Sequence, residues 1–327
     1  MSGENNEDTP RQPRNLQGLL NFCTQITARE DNTRPTDMSM MDPERRRFLE
    51  EALTGMTVDV VKKLAEAVKT LFEDAVTIPG ENVEEQEEAL DTISEYVEDL
   101  NYAKDLQKMG GFPALIRCLD SPHESLRASA ANVIGEVCQN NLDCQSSMLA
   151  LNPIPTLLHM MDNDSSKQAK VKALFALSCL VRGYTDGERK FLELDGFSYL
   201  MRAMQSGEEK LVVKSAFFLN NLIDNDNFRK DAIMSMGYVE QLRYSILNND
   251  AVDNVSRKEH CHPMVLATLA MSYPPALSDC LRPEFNLPCS LRSRLTTIKG
   301  KSEFEDEARH ITNLLNAIES EDENTCR

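Results

Sequence analysis

Apolar positions recur along the chain with a period of about 42 residues. Each copy has a turn broken by glycine or proline and then an apolar helix start, and the four copies begin at Gly111, Asn152, Gly196 and Gly237. Helical repeats of about 40–47 residues are typical of armadillo and HEAT proteins, in which no unit buries its apolar face alone and neighbours must stack. The pattern predicts an all-α, armadillo-like right-handed solenoid of about four repeats with helical caps, whose curved surface holds another protein.

A longer amphipathic helix follows in each repeat. The apolar positions that correspond between the three clearest copies are Ile134, Leu177 and Leu219. Small residues occupy a second matched position, which allows adjacent helices to approach closely: Ala130, Ala173 and Ser215. The fourth long helix follows a polar insertion over 248–260, and two prolines at 274 and 275 end it.

The sequence on either side of the repeats divides into further segments. We expect disorder over 1–13, a short amphipathic segment over 14–28, a linker over 29–41, N-terminal capping helices over 42–108, armadillo repeats over 109–275, a C-terminal helical cap over 276–320 and a disordered acidic tail over 321–327. In the amphipathic segment, the apolar residues at 16, 19, 20 and 23 have the i, i+3, i+4, i+7 spacing of one helix face. One further helix is predicted over 304–318, near the end of the chain.

Charge narrows the class of partner. The chain has 53 acidic and 35 basic residues and a formal net charge of −18. Nucleic-acid binding depends largely on neutralising phosphates with lysine and arginine, and anionic membranes also attract basic segments. We therefore expect neither nucleic acid nor a membrane surface as partner, and we expect the protein to be a monomer.

The expected cellular compartment follows from the N-terminal sequence, the lengths of the apolar runs and the cysteines. No apolar run approaches the roughly 18 residues that a membrane span needs, and the first residues are polar and acidic rather than basic and then apolar. Nine scattered cysteines, with no CxxC pair, are typical of reduced, buried thiols. The expected location is the cytosol.

Catalytic motifs are absent from the sequence. There is no phosphate-cradling glycine loop, no GxSxG and no HExxH. His260, Cys261 and His262, with Cys280 and Cys289 downstream, are residue types that zinc accepts, but their spacing favours a loop-to-helix junction over a metal site. We therefore expect no enzyme activity, no cofactor and no metal.

The third helix of each repeat lines the concave face of an armadillo stack, so its outward positions form ladders from repeat to repeat. One level contains Ser129, Lys172 and Lys214; the next contains Asn132, Phe175 and Phe217; the level below contains Glu136, Cys179 and Asn221. The two phenylalanines are either core residues or ligand contacts, and the two lysines are either plain solvated residues or a small basic spot that faces an acidic partner. Armadillo proteins that import basic peptides use a tryptophan and asparagine ladder, and this chain has no tryptophan.

Four strings carry a family resemblance: 13–20 (PRNLQGLL), 139–143 (QNNLD), 171–182 (VKALFALSCLVR) and 195–204 (DGFSYLMRAM). They resemble the armadillo-type nucleotide exchange factors of the heat shock protein 70 chaperone, the heat-shock-protein-70-binding protein 1 / Fes-one family, over roughly 13–245. The resemblance implies a cochaperone whose concave face wraps one lobe of the chaperone's nucleotide-binding domain and loosens ADP, so that ATP enters and client leaves. The alternative function is an armadillo adaptor that recruits another client, for example to a ubiquitin ligase, without an effect on nucleotide.

The resemblance also assigns particular residues. Ala103 matches a small residue at the start of the family's concave surface, unless it only packs between helices, and Lys214 matches a basic concave residue. The N-terminal segment matches a client-like stretch that occupies the chaperone's peptide site, through Leu16, Leu19, Leu20 and Phe22. The other possibility for that segment is docking onto the end of its own solenoid.

Overall fold

The computed structural model describes residues 59–223, 227–247 and 258–325. The chain divides into two compact units, Met1–Lys62 and Lys63–Arg327, and of the first unit only 59–62 are described. The predicted disorder over 1–13, the client-like segment, the linker and the first capping helix therefore lie outside the described residues. So does most of the polar insertion before the fourth long helix.

The described part of the chain is built from α-helices and contains no strand. The helices are α1 Val60–Thr70, α2 Glu84–Val97, α3 Leu100–Lys108, α4 Gly111–Leu119, α5 Glu124–Cys138, α6 Leu142–Leu149, α7 Ile154–Asn163, α8 Lys167–Val181, α9 Thr185–Glu193, α10 Gly196–Met204, α11 Glu209–Ile223, α12 Asn227–Ser235, α13 Tyr238–Leu247, α14 Lys258–Ser272, α15 Pro274–Cys280, α16 Leu287–Ile298 and α17 Glu305–Thr325. Short 3-10 helices lie at Asp74–Val76, Pro283–Phe285 and Ser302–Phe304. None of the described helices is long and apolar enough to cross a membrane.

The helices group into triplets of two shorter helices and one longer helix. The triplets α3–α5, α6–α8, α9–α11 and α12–α14 are four repeats, and each ends in a helix of 15 residues. The long helices pack against one another in chain order, from α2 through α5, α8, α11 and α14 to α17. This arrangement confirms the all-α, armadillo-like solenoid of about four repeats.

A left-handed residue precedes the second helix of each repeat and explains the recurring sequence break. The positive φ angles are 81° at Gly110, 54° at Asn152, 57° at Asp195 and 71° at Gly237. Glycine adopts this conformation without strain, and asparagine and aspartate tolerate it better than other residues. The turn therefore fixes where the second helix begins, which is why the four apolar starts could be found from the sequence.

The matched small and apolar positions form the core between repeats. Ile134, Leu177 and Leu219 are fully buried, as are Ala130, Ala173 and Ser215. Close packing also accounts for one glycine in the recurring motif. A Cβ on Gly196 would lie 2.4 Å from the Phe191 ring, so a larger residue would separate the first and second helices of the third repeat.

Side chains at the turns tie each unit to the next. Arg127 forms a two-pronged ion pair with Asp164 of the following repeat, with nitrogen–oxygen distances of 2.7 and 2.8 Å. Towards the N-terminus, three residues of the first repeat bind backbone carbonyls that lie 45 residues earlier: Arg117 donates to Phe72, Ser121 donates to Val76, and the His123 ring pairs with Ile78. The segment 72–78 thus takes the position of a repeat turn ahead of the first complete repeat.

The ends of the solenoid differ from the predicted boundaries. Helix α3, placed in the N-terminal cap by the sequence, is the first helix of the first repeat. The C-terminal cap contains two helices that were not predicted separately, α15 and α16, before the predicted last helix. That last helix continues to Thr325, and the predicted disordered tail over 321–327 stays a prediction. Its glutamates are good helix formers, so charge alone did not end the helix.

Candidate partner-binding surface

Eight of the predicted contact residues lie on the third helices α5, α8 and α11, and together they are called the third-helix ladder here. Its members are Ser129, Asn132, Glu136, Lys172, Phe175, Lys214, Phe217 and Asn221. The first five are partly buried, and the last three are exposed. Because α5, α8 and α11 pack side by side in that order, the structure brings these side chains from three repeats onto neighbouring helices.

A chain of hydrogen bonds connects the N-terminal part of the ladder. The Lys172 ammonium donates to Asn132 Oδ1 at 2.6 Å, and Asn132 Nδ2 donates to Glu136 Oε1 at 2.7 Å. Glu136 Oε2 accepts from the Ser94 hydroxyl, also at 2.7 Å. The chain crosses from α8 to α5 to α2. Sequence reasoning missed Ser94, although it lies 42 residues before Glu136, which is one repeat period.

Phe175 is both a packing residue and a surface residue. A Cβ on Gly135 of α5 would lie 2.4 Å from Phe175 Cε1, so the ring fills the space that this glycine leaves open. On its other side the ring faces Lys214, whose Nζ lies 5.7 Å from the ring centroid, within cation–π range. The ring therefore supports Lys214 from the preceding repeat.

A groove of about 650 Å³ lies beside these residues, between α8 and α11. Its lining combines apolar side chains with three lysines and one glutamate: Asn132, Val171, Lys172, Phe175, Glu209, Lys210, Val213 and Lys214. Lys210 and Lys214 are exposed and form no ion pair with any residue in the described part of the chain. In a protein with a net charge of −18, this groove carries a local excess of positive charge.

The ladder residues of the third repeat are more exposed than those of the first two repeats. Phe217 is 50% exposed, and no ring packs over it among the described residues. Asn221 is exposed and donates from Nδ2 to the Phe217 carbonyl oxygen at 2.8 Å, so its amide is bound to its own helix. Cys179, which shares its level with Glu136 and Asn221, is buried, and burial raises the pKa of its thiol to about 11.

Ala103 does not lie on the third-helix ladder. It is on α3, a first helix, and only 1% of it is exposed. Its methyl group is packed in the core because α3 turns its apolar side inward at Ala103 and Leu106. This burial fits the packing alternative, and a contact between Ala103 and a partner stays a prediction. The client-like residues Leu16, Leu19, Leu20 and Phe22 lie outside the described residues.

The histidine and cysteine cluster lies at the beginning of α14. Cys261 and His262 are buried in the first turns of that helix, while Cys280 is buried in α15 and Cys289 is exposed on α16. Across the described ranges, no three histidine, cysteine or acidic side chains converge as metal ligands would. The cysteines in these ranges are free thiols.

Two family models match the chain. The model of the SIL1/FES1/HPBP1 C-terminal domain matches residues 102–254, and that of the nucleotide exchange factor Fes1 matches 16–106. The mouse protein named Hsp70-binding protein 1 is 35% identical over 320 residues, which cover 94% of this chain and 86% of the mouse protein. The chain belongs to the SIL1/FES1/HPBP1 family. The family resemblance inferred from four sequence strings is thus confirmed.

Further relatives within the SIL1/FES1/HPBP1 family are somewhat less similar. The human protein named Hsp70-binding protein 1 is 34% identical over 319 residues, which cover 93% of this chain and 85% of the human protein. A Candida glabrata protein named Hsp70 nucleotide exchange factor FES1 is 26% identical over 243 residues, covering 69% of this chain and 80% of the fungal protein.

Solved structures support the fold independently of the family. A designed armadillo repeat protein superposes with a TM-score of 0.62 at 17% identity, covering 78% of this chain and 99% of the designed chain. The armadillo repeats only protein of Plasmodium falciparum gives a TM-score of 0.52 at 14% identity, covering 66% of this chain and 95% of the other. At these identities the similarity concerns the armadillo fold alone.

Proposed function

We propose that this protein is a cochaperone that acts as a nucleotide exchange factor for an Hsp70 chaperone in the cytosol. It binds the nucleotide-binding domain of the chaperone through the third-helix ladder, promotes release of ADP, and so leads to release of client. Membership of the SIL1/FES1/HPBP1 family supports this function, as do the names of the mouse and fungal relatives. Such a factor acts by binding and makes or breaks no covalent bond.

The observation that carries the proposal for the binding surface is the groove between α8 and α11. It offers two exposed lysines, Lys210 and Lys214, beside the apolar side chains of Val171, Phe175 and Val213. A basic, partly apolar groove in a strongly acidic protein suits a partner surface that presents carboxylates near aliphatic side chains, because complementary charge guides encounter and fixes register. The acidic remainder of the protein would repel that surface elsewhere.

Exchange activity follows from linkage between two ligands. If the factor binds the nucleotide-free chaperone more tightly than the ADP-bound chaperone, then the factor must weaken the affinity of the chaperone for ADP by the same ratio. A hundredfold weaker affinity for ADP corresponds to a coupling free energy of about 2.7 kcal/mol. The solenoid needs no residue at the nucleotide for this effect, since it acts by stabilising an open form of the domain.

Calorimetric titration tests the proposal. The isolated nucleotide-binding domain of Hsp70 is titrated with this protein in the absence of nucleotide, and again with saturating ADP or ATP. We expect tight binding without nucleotide and binding at least tenfold weaker with ATP. Equal affinity in all conditions would instead indicate an armadillo adaptor that recruits the chaperone or another client without affecting nucleotide.

A charge-reversal pair locates the surface. Lys214→Glu places an acidic residue in the groove, and we expect it to weaken binding at least tenfold. Lys299→Glu makes the same change at an exposed position after α16, away from the ladder, and should leave the affinity within twofold of wild type. Similar affinities for the two variants would contradict the proposed surface.

The N-terminal segment has a separate proposed role. Leu16, Leu19, Leu20 and Phe22 occupy the peptide site of the chaperone and promote client release. Replacing all four by serine should slow the release of a fluorescent client peptide and leave the rate of ADP release unchanged. If client release is unaffected by the replacement, the segment does not act in this way.

A further inference from the structure

Lys172 and Lys214 are equivalent residues of consecutive repeats, and each reaches back to the same ladder level of the repeat before it. Lys172 reaches Asn132, and Lys214 reaches Phe175. The residue that each lysine meets is therefore different in kind. One lysine finds an amide oxygen, and the other finds the face of an aromatic ring.

The amide that receives Lys172 is itself oriented. Asn132 uses Oδ1 to accept from Lys172 and Nδ2 to donate to Glu136, so each end of its amide has one partner. The second oxygen of Glu136 is held by Ser94. Ser94, Glu136 and Asn132 are all partly buried, and hydrogen bonds to a charged group in such a setting are stronger than those between neutral groups.

These hydrogen bonds connect the positive Lys172 to the negative Glu136 through the neutral amide of Asn132. The charge of Lys172 is consequently offset within the protein, by Glu136 one link away. At the positions that correspond to Asn132 and Glu136, the second repeat presents Phe175 and Cys179 to Lys214, so no amide and carboxylate hold Lys214 in the same way. Two lysines that look alike in the sequence pattern thus differ in the charge that they offer to a partner.

We propose that Asn132 and Glu136 are positioning residues that hold and neutralise Lys172, so that Lys214 supplies the decisive positive charge that the partner meets. This inference rests on the proposed function and deepens it, since it assigns the specificity of the groove to one lysine of the pair. The hydrogen-bonded series Lys172, Asn132 and Glu136 is called the relay here. Ser94 links this relay to α2, the helix ahead of the first repeat.

Binding to the nucleotide-binding domain of Hsp70 tests the difference between the lysines. Lys214→Met should weaken the affinity about tenfold, and Lys172→Met should weaken it by a smaller factor. In a Glu136→Gln background, Lys172 is released from its counter-charge, and Lys172→Met should then weaken the affinity by a factor at least three times larger than in the wild-type background. Lys214→Met should have the same effect in both backgrounds. Additive effects of Lys172→Met and Glu136→Gln, within twofold, would overturn the proposal.

A charge-transfer rescue tests the geometry without any partner. Asn132→Asp places two carboxylates in contact and should lower the urea midpoint of unfolding. Adding Glu136→Gln moves the single negative charge one link closer to Lys172. The introduced aspartate then accepts from the lysine, and the introduced glutamine donates to that aspartate while it accepts from the Ser94 hydroxyl. The double variant should recover the wild-type midpoint, and failure of the rescue would overturn the relay.

The two tests separate the failure of this inference from the failure of the proposed function. If wild type does not bind the chaperone domain, the proposed function is wrong and the assignment to Lys214 is overturned with it, while the rescue still decides whether the relay exists. As a control, Asn221→Asp changes an amide that binds only its own helix, so Glu136→Gln should not rescue any effect of that substitution.

Discussion

Gly135 and Phe175 form the contact on which the proposed binding surface depends, and Gly135→Ala perturbs it most cleanly. A methyl group at 135 would lie 2.4 Å from Cε1 and 2.5 Å from Cδ1 of the Phe175 ring. Ordinary contacts of a Cβ begin near 3.4 Å, so the ring must move by about 1 Å. Overpacking of this size costs about 1–3 kcal/mol, while alanine gains about 1 kcal/mol over glycine within a helix. The net expectation is a loss of about 0–2 kcal/mol of stability.

Urea unfolding measures this loss, and a double variant assigns it to the ring. Leucine at 175 removes the ring atoms that collide with the new methyl group, so Gly135→Ala and Phe175→Leu should show a favourable coupling of about 1 kcal/mol. Gly207→Ala is the control, since a Cβ there meets nothing within 4 Å, and it should change stability by less than about 0.5 kcal/mol.

The same variant should also affect binding. The Phe175 ring lies under Lys214, so displacement of the ring moves the lysine and narrows the groove. We expect Gly135→Ala to weaken binding to the Hsp70 nucleotide-binding domain several-fold, beyond its effect on stability. A gain of about 1 kcal/mol with unchanged binding would refute the packing of Phe175 on Gly135, because that is the outcome for an unhindered helix glycine.

Three further predictions concern the scaffold. Burial raises the pKa of Asp164, but the hydrogen bonds from Arg127 and the Ser166 backbone, together with the charges of Arg127 and Lys170, outweigh it, and the net pKa is lowered. The contribution of Asp164 to stability should therefore be present above about pH 4 and be lost at lower pH. Arg127→Ala should reduce this acid-dependent part of the urea midpoint. Tyr238→Phe should cost about 1 kcal/mol, measured by urea unfolding, because it removes the hydrogen bond from the buried hydroxyl to the Phe197 backbone carbonyl. Among the described cysteines, exposed Cys289 should react first with a thiol reagent in mass-spectrometric mapping, whereas burial raises the pKa of Cys118 to about 12 and should protect it until the protein unfolds.

The repeats could be predicted because their turns are specified locally. A left-handed residue such as Gly110 or Gly237 and the apolar helix start after it lie next to each other in sequence, so the signal survives without knowledge of the fold. Helix α16 also follows a left-handed residue, Asn286, and begins at the apolar Leu287. It lies 49 residues after Gly237 rather than about 42, so the repeat pattern did not include it.

The sequence predicted which helix faces carry the candidate site, but it did not predict which side chains the site residues contact. Equivalent positions placed Lys172 and Lys214 on one ladder level, as the structure does. The sequence pattern could not distinguish them, because the difference depends on which side chain the preceding repeat presents. The two alternatives for Ala103 have a related origin: a small residue on a short helix suits a close contact with a partner and a close contact with the core equally well, and its burial favours the core.

The rate of ADP release tests the central claim most directly. The nucleotide-binding domain of Hsp70 is loaded with fluorescent ADP and mixed in a stopped-flow instrument with excess unlabelled nucleotide, with or without this protein. We expect the release rate to rise at least tenfold and to saturate as the protein reaches stoichiometric excess, with Lys299→Glu as active as wild type and Lys214→Glu much less active. A release rate that is unchanged at stoichiometric excess of the wild-type protein would contradict its function as a nucleotide exchange factor.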